Sequence, residues 1–87
     1  MEKTTIIIVK YLYVKRIIGG KHIPEDRIIM QRKRLLRKEE CKLFEKDYKK
    51  LVNDKIILRM KKRTGKGCDW HITLNPRMLE KALEIIQ

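Results

Sequence analysis

Apolar positions change their spacing twice along the chain. From Thr4 to Ile18 the stretch TTIIIVKYLYVKRII is apolar at most positions and rich in β-branched residues. That composition suits a strand, but a run of this length stopped by Gly19-Gly20 predicts a helix over 4–18. On a helical wheel Ile6, Val9, Tyr13 and Ile17 fall together, Ile7, Val14 and Ile18 lie beside them, and Ile8 and Leu12 reach the other side. A helix apolar nearly all round carries more apolar surface than one small domain covers, so a dimer seam is expected on it.

After a loop from Gly19 to Ile23, Pro24 suits the first turn of a second helix, with Glu25 and Asp26 at its positive end. This helix is predicted to reach about Leu36 and to give Ile28, Ile29, Leu35 and Leu36 to the core. A third helix is predicted over 38–53. Phe44, Tyr48, Leu51 and Val52 form its inward stripe, and Lys42, Lys46, Lys49, Lys50 and Asn53 recur at the same spacing on the opposite face as a basic ridge. Asn53-Asp54 supplies residues tolerant of the left-handed conformation that ends a helix.

The period then becomes two. Ile56, Leu58 and Met60 alternate with Ile57, Arg59 and Lys61, and beyond two glycines Trp70, Ile72 and Leu74 alternate with Asp69, His71 and Thr73. A hairpin centred on Gly65 sets Ile56 against Leu74, Leu58 against Ile72 and Met60 against Trp70 on an inner face. Ile57 with Thr73, Arg59 with His71 and Lys61 with Asp69 then fall outside. The tip is Lys62 to Cys68. Trp70 points inward in this register, as a core residue rather than a surface for a base. Asn75-Pro76 ends the strand, and Arg77 to Ile86 is a last amphipathic helix with Met78, Leu79, Ala82, Leu83 and Ile86 apolar. The expected class is α+β in a single domain, 1–87.

Composition adds the partner. The chain has 87 residues, 43% of them hydrophobic, so it has the material for one core but not for two domains. Its net charge of +12 favours a polyanionic partner. The excess is concentrated: residues 55–71 hold six Lys and Arg against one acid, whereas 72–87 hold two against two. No apolar run approaches the roughly 18 residues that span a bilayer, and no secretory leader pattern is present, which points to a cytoplasmic protein with no membrane partner.

The order helix, helix, helix, strand, basic tip, strand, helix, and above all CKLFEKDYKKLVNDKIILRMKKRTGKGCDWHITL, resembles the winged helix-turn-helix family, in particular small archaeal winged-helix regulators. The resemblance covers nearly the whole chain as a pattern of elements. It implies three helices, a two-stranded β-hairpin wing and a C-terminal helix, with the helix over 38–53 in the major groove of double-stranded DNA and the wing on the flanking backbone or minor groove. It implies Lys42, Lys46, Lys49, Lys50 and Asn53 as groove-facing residues and Lys62, Arg63, Thr64 and Lys66 as wing residues. Lysines suit phosphate positioning, and Asn53 and Arg63 suit base or shape readout. A dimeric transcriptional regulator with its seam on helices 4–18 and 77–86 is the first expectation. A protein-interaction module of a larger complex and an RNA-binding protein are the alternatives. The plainer reading of the ridge is a solvated face laced with pairs such as Glu45 with Lys49.

Other chemistry is sparse. The chain contains no Ser and no Gly-rich phosphate loop after a strand, so no catalytic role is expected. His22, Cys41, Cys68 and His71 make four zinc-ligand types by count, but the expected fold scatters them, and a Cys41–Cys68 disulfide meets the same separation; no metal or other cofactor is expected.

Overall fold

The computed structural model describes residues 1–64 and 67–87; Gly65 and Lys66, and the side chains of Thr64 and Cys68, lie outside the described set. The fold is α+β. Among the described residues it has four α-helices and a three-stranded antiparallel sheet in the order β1-β3-β2. The elements are α1 (Lys3–Val14), β1 (Ile23–Pro24), α2 (Glu25–Lys33), α3 (Lys38–Asn53), β2 (Ile57–Thr64), β3 (Gly67–Leu74), a 3-10 turn (Pro76–Met78) and α4 (Leu79–Ile86). Among these residues no helix is long and apolar enough to cross a membrane.

α1 begins where Glu2 accepts from the Thr4 N–H at 2.8 Å, and it ends four residues short of the expected Ile18. Its stop is not the glycine pair. Arg16 adopts the left-handed conformation (φ 55°), its N–H donates to Tyr13, and the Ile17 N–H donates to Leu12 at 2.8 Å. That is a Schellman closure, and it turns Ile17 back into the core at 4% exposure. Ile8, Val9 and Leu12 form the buried stripe, while Ile7 and Val14 stay exposed. α1 packs on α4 across Ala82, whose small side chain permits close approach. Much of the apolar surface that suggested a seam is therefore covered within the chain.

α2 is shorter than expected. Pro24 is its N-cap, not its first helical residue, because Pro24 also pairs with His71 in the sheet. Successive tight turns through Arg34, Leu35 and Leu36 end it, leaving Leu35 80% exposed instead of in the core. α3 has the predicted bounds. Glu40 reaches back to the Arg37 N–H at 3.3 Å, and two acids in the first turn suit its positive end. Phe44, Tyr48 and Leu51 are buried, the two rings stacked with centroids 5.8 Å apart. A second Schellman closure ends α3: Lys55 (φ 64°) donates to Val52 and Ile56 donates to Leu51 at 3.0 Å. The left-handed residue is Lys55, not Asn53 or Asp54. α4 starts at Leu79, with the expected first residues 77 and 78 wound into the 3-10 turn that Asn75 caps.

The hairpin register differs by one residue from the expected one. Ile57 pairs with Leu74, Arg59 with Ile72 and Lys61 with Trp70 on one face, while Leu58 pairs with Thr73, Met60 with His71 and Lys62 with Asp69 on the other. Pairing continues to Thr64 with Gly67, so most of the expected tip, Lys62 to Cys68, belongs to the strands. Two causes act together. Ile56 is consumed by the α3 closure, which starts the strand at fully buried Ile57. The supposedly outer Thr73 is also fully buried, its hydroxyl donating to the carbonyl of Lys21 at 2.6 Å and lying 3.2 Å from that of Ile17. With both faces covered at the base of the hairpin, alternation no longer distinguishes inside from outside.

Candidate functional site

The outward face of α3 is built by the same turn geometry that buries Phe44, Tyr48 and Leu51. Lys42, Lys46, Lys49, Lys50 and Asn53 are all exposed and share the side opposite that stripe. Glu45 does not pair with Lys49. It reaches across to Lys33 at the end of α2, with Nζ–Oε1 2.5 Å. Asp47 is likewise turned away, accepting the Glu2 N–H at 2.7 Å. Glu45 and Asp47, which border the ridge, thus have partners elsewhere, while Glu39 lies exposed on the ridge side itself; neither ion pair among the described residues takes a ridge lysine.

Strand alternation divides the expected hairpin residues. Arg63 falls on the sheet face that carries Arg59 and Lys61, and Lys62 falls on the opposite face, opposite Asp69. Both are exposed. Lys66 and the Thr64 side chain lie outside the described residues.

Between α2, α3 and β2 lies an open cavity of about 420 Å³, with Ile29, Phe44 and Val52 among its lining and Glu25, Lys49, Asn53 and Arg59 supplying polar groups. Its organising unit is a cluster absent from the sequence reading. Arg59 holds Glu25 through two bonds, Nε to Oε2 at 2.6 Å and Nη2 to Oε1 at 3.0 Å. Tyr48 donates its hydroxyl to the same Oε2 at 2.7 Å. Burial, reinforced by the bond to Glu25 and by its charge, pushes the Tyr48 phenol far above its ordinary value, with Arg59 opposing. The Arg59 guanidinium also lies 4.2 Å from the Trp70 ring centroid, and Lys61 Nζ lies 6.0 Å from it. Trp70 is 42% exposed and not a core residue. The signal for this cluster is the register: only with Lys61 opposite Trp70 do Arg59 and Trp70 become diagonal neighbours on one face.

On the other sheet face His22 and His71 meet edge-on, their Nδ1 atoms 2.9 Å apart. The His22 imidazole is held below its ordinary pKa by desolvation first, then by the charge of Lys62 and by His71. Cys41 does not join them; it packs at the turn between α2 and α3, its Sγ 3.9 Å from the Lys33 carbonyl. Among the described residues no three His, Cys, Asp or Glu side chains are grouped to hold a metal ion.

Chemically, the α3 ridge and the α3-facing side of the hairpin offer exposed cations, one amide and an aromatic ring, with Lys49, Asn53 and Arg59 also lining the open, partly apolar cavity. Comparison of the chain with protein-family models, curated protein sequences and solved structures finds no match.

Proposed function

We propose that the chain is a winged helix-turn-helix DNA-binding protein, a transcriptional regulator in which α3 enters the major groove and the β2–β3 hairpin serves as the wing. The observation that carries this is the α3 face: five exposed polar residues, four of them lysines, with the neighbouring acids Glu45 and Asp47 engaged elsewhere. A 16-residue helix is about 24 Å long, enough to lie along a groove and meet phosphates on both sides. In this reading Lys42, Lys46, Lys49 and Lys50 position the duplex and Asn53 reads a base edge. Lys61 and Arg63, on the sheet side shared with Arg59, extend the contact toward the flanking backbone. Lys62 serves the opposite flank of the wing. The α+β class, with α2 and α3 ahead of a three-stranded antiparallel sheet, supports this reading. The regulator acts as a homodimer in this proposal, with exposed Ile7 and Val14 on α1 at the seam beside α4.

The test is a duplex-DNA titration at two salt concentrations with wild type and a Lys46→Ala/Lys49→Ala/Arg63→Ala variant whose fold is checked in parallel. The expected result is binding that weakens steeply as salt rises, with a shallower salt dependence and lower affinity in the variant. No binding at low salt overturns the proposal. Preference for duplex RNA over duplex DNA replaces it with the RNA reading.

A further inference from the structure

The sheet side that faces α3 carries its aromatic ring in an unusual position. Trp70 occupies the middle of β3, two residues from fully buried Ile72, yet keeps 42% of its surface exposed. It is the sole tryptophan of the chain. Its neighbour Arg59 is exposed but held: two bonds join the guanidinium to Glu25, and Glu25 in turn receives the hydroxyl of buried Tyr48 on α3. The indole thus leans on a cation whose position is set by the core, with Lys61 directly across the strand pair.

A pre-set indole among cations is what a nucleobase with a free face requires. Every base offers a π-face, stacking on an aromatic side chain does not depend on sequence, and adjacent cations hold the phosphates of the same strand. Inside an intact duplex the base faces are covered by their neighbours, so Trp70 has nothing to stack on there. We infer that Trp70, propped by Arg59, is a stacking platform for an unpaired nucleobase, and that the ligand is duplex DNA carrying a single-stranded extension. The duplex part lies on the α3 ridge and the extension crosses the hairpin. This inference rests on the DNA-binding reading above and narrows it to a class of DNA structure.

The single tryptophan makes the experiment direct. The 87-residue chain is titrated with a blunt duplex, with the same duplex bearing an oligo-dT overhang, and with the oligo-dT strand alone, following Trp70 fluorescence and the anisotropy of end-labelled DNA. The expected result is tighter binding of the overhang duplex than the blunt one, with quenching of Trp70 by the overhang only. Trp70→Ala should lower affinity for the overhang duplex about tenfold and leave the blunt duplex unchanged, and Trp70→Phe should retain most of the preference. Equal affinity for both duplexes with no difference in quenching overturns the stacking site while leaving the DNA reading standing. Binding and quenching by the single strand as strong as by the overhang duplex, with the blunt duplex unbound, keeps the stacking site but overturns the duplex reading and with it the proposed ligand. No binding to any probe overturns both. Should Trp70→Ala fail to fold, wild-type quenching and the phenylalanine variant still decide the matter.

Discussion

Arg59 and Glu25 are joined side by side through two bonds of 2.6 and 3.0 Å, linking the second residue after the buried start of β2 to the first residue of α2. The carboxylate side chain is only 14% exposed and the guanidinium 34%, so the pair is partly withdrawn from water. Bidentate geometry and the Tyr48 hydroxyl on the same carboxylate distinguish it from an isolated surface ion pair.

Removing the carboxylate leaves both donors without their acceptor. Glu25→Ala is expected to lower stability by about 1–3 kcal/mol. Arg59→Met, which keeps an apolar stem against Trp70, should cost less. Urea denaturation of the two single variants and the double variant forms a cycle; coupling near zero between the sites would refute the role given to the pair.

Tyr48 supplies a signature at high pH. Its folded-state pKa is raised by burial and by Glu25, so the native state keeps the phenol neutral where the unfolded chain ionises. The stabilisation is complete below the ordinary tyrosine value of 10.0 and is lost progressively as pH rises above it. Thermal unfolding should therefore show falling stability above that pH, with a shallower fall in Tyr48→Phe. Parallel slopes in the two proteins would contradict this.

The histidine pair acts at the other end of the scale. Because the folded state lowers the His22 pKa, protonation favours the unfolded chain; stability is full above the ordinary value of 6.5 and declines as pH drops through and below it. A charged His22 ring 2.9 Å from the His71 ring and near Lys62 is the unfavourable state. His22→Asn is expected to flatten the decline between about pH 7 and pH 5. The measurement is the difference in melting temperature between wild type and variant across that interval, which cancels the common carboxylate contribution.

The two left-handed residues offer a gain. Arg16 (φ 55°) and Lys55 (φ 64°) sit where glycine carries no side-chain penalty. Arg16→Gly and Lys55→Gly are each expected to stabilise by about 0.5–1 kcal/mol, the relief of strain exceeding the added unfolded-state entropy, whereas Lys55→Val should destabilise. Chemical denaturation midpoints decide between these signs.

These same two positions show why parts of the fold were legible in the chain and others were not. α3 was readable from end to end because its apolar stripe and lysine ridge keep one period over four turns. The end of α1 was misplaced because its closure uses Arg16, so no glycine marks the turn and Gly19-Gly20 drew the boundary too late; the bounds of α3 were right, but its left-handed turn was assigned to Asn53-Asp54 when Lys55 makes it. The phase of β2 followed from the second error: once Ile56 belongs to the closure, the strand begins one residue later. That slip hid the Arg59–Trp70 contact and with it the exposure of Trp70, and it also placed Lys62 and Arg63 together when alternation separates them. The partnership of Glu45 with Lys33 joins the end of α2 to the middle of α3 across the turn between them, which no local pattern contains.

The joint between α3 and β2 carries a mechanical meaning. Ile56 donates to Leu51 and accepts from the Asn75 N–H at 3.0 Å, while the Asn75 side chain donates to the Lys55 carbonyl at 2.9 Å. The passage from helix to strand is thus pinned by the residue that follows β3, the strand paired with β2, leaving no slack residue to act as a pivot. In the proposed binding mode the lysine face of α3 and the ring of Trp70 act as two fixed jaws of a gauge rather than as fingers that close, so the DNA must already have, or must bend to take, the spacing that the protein sets.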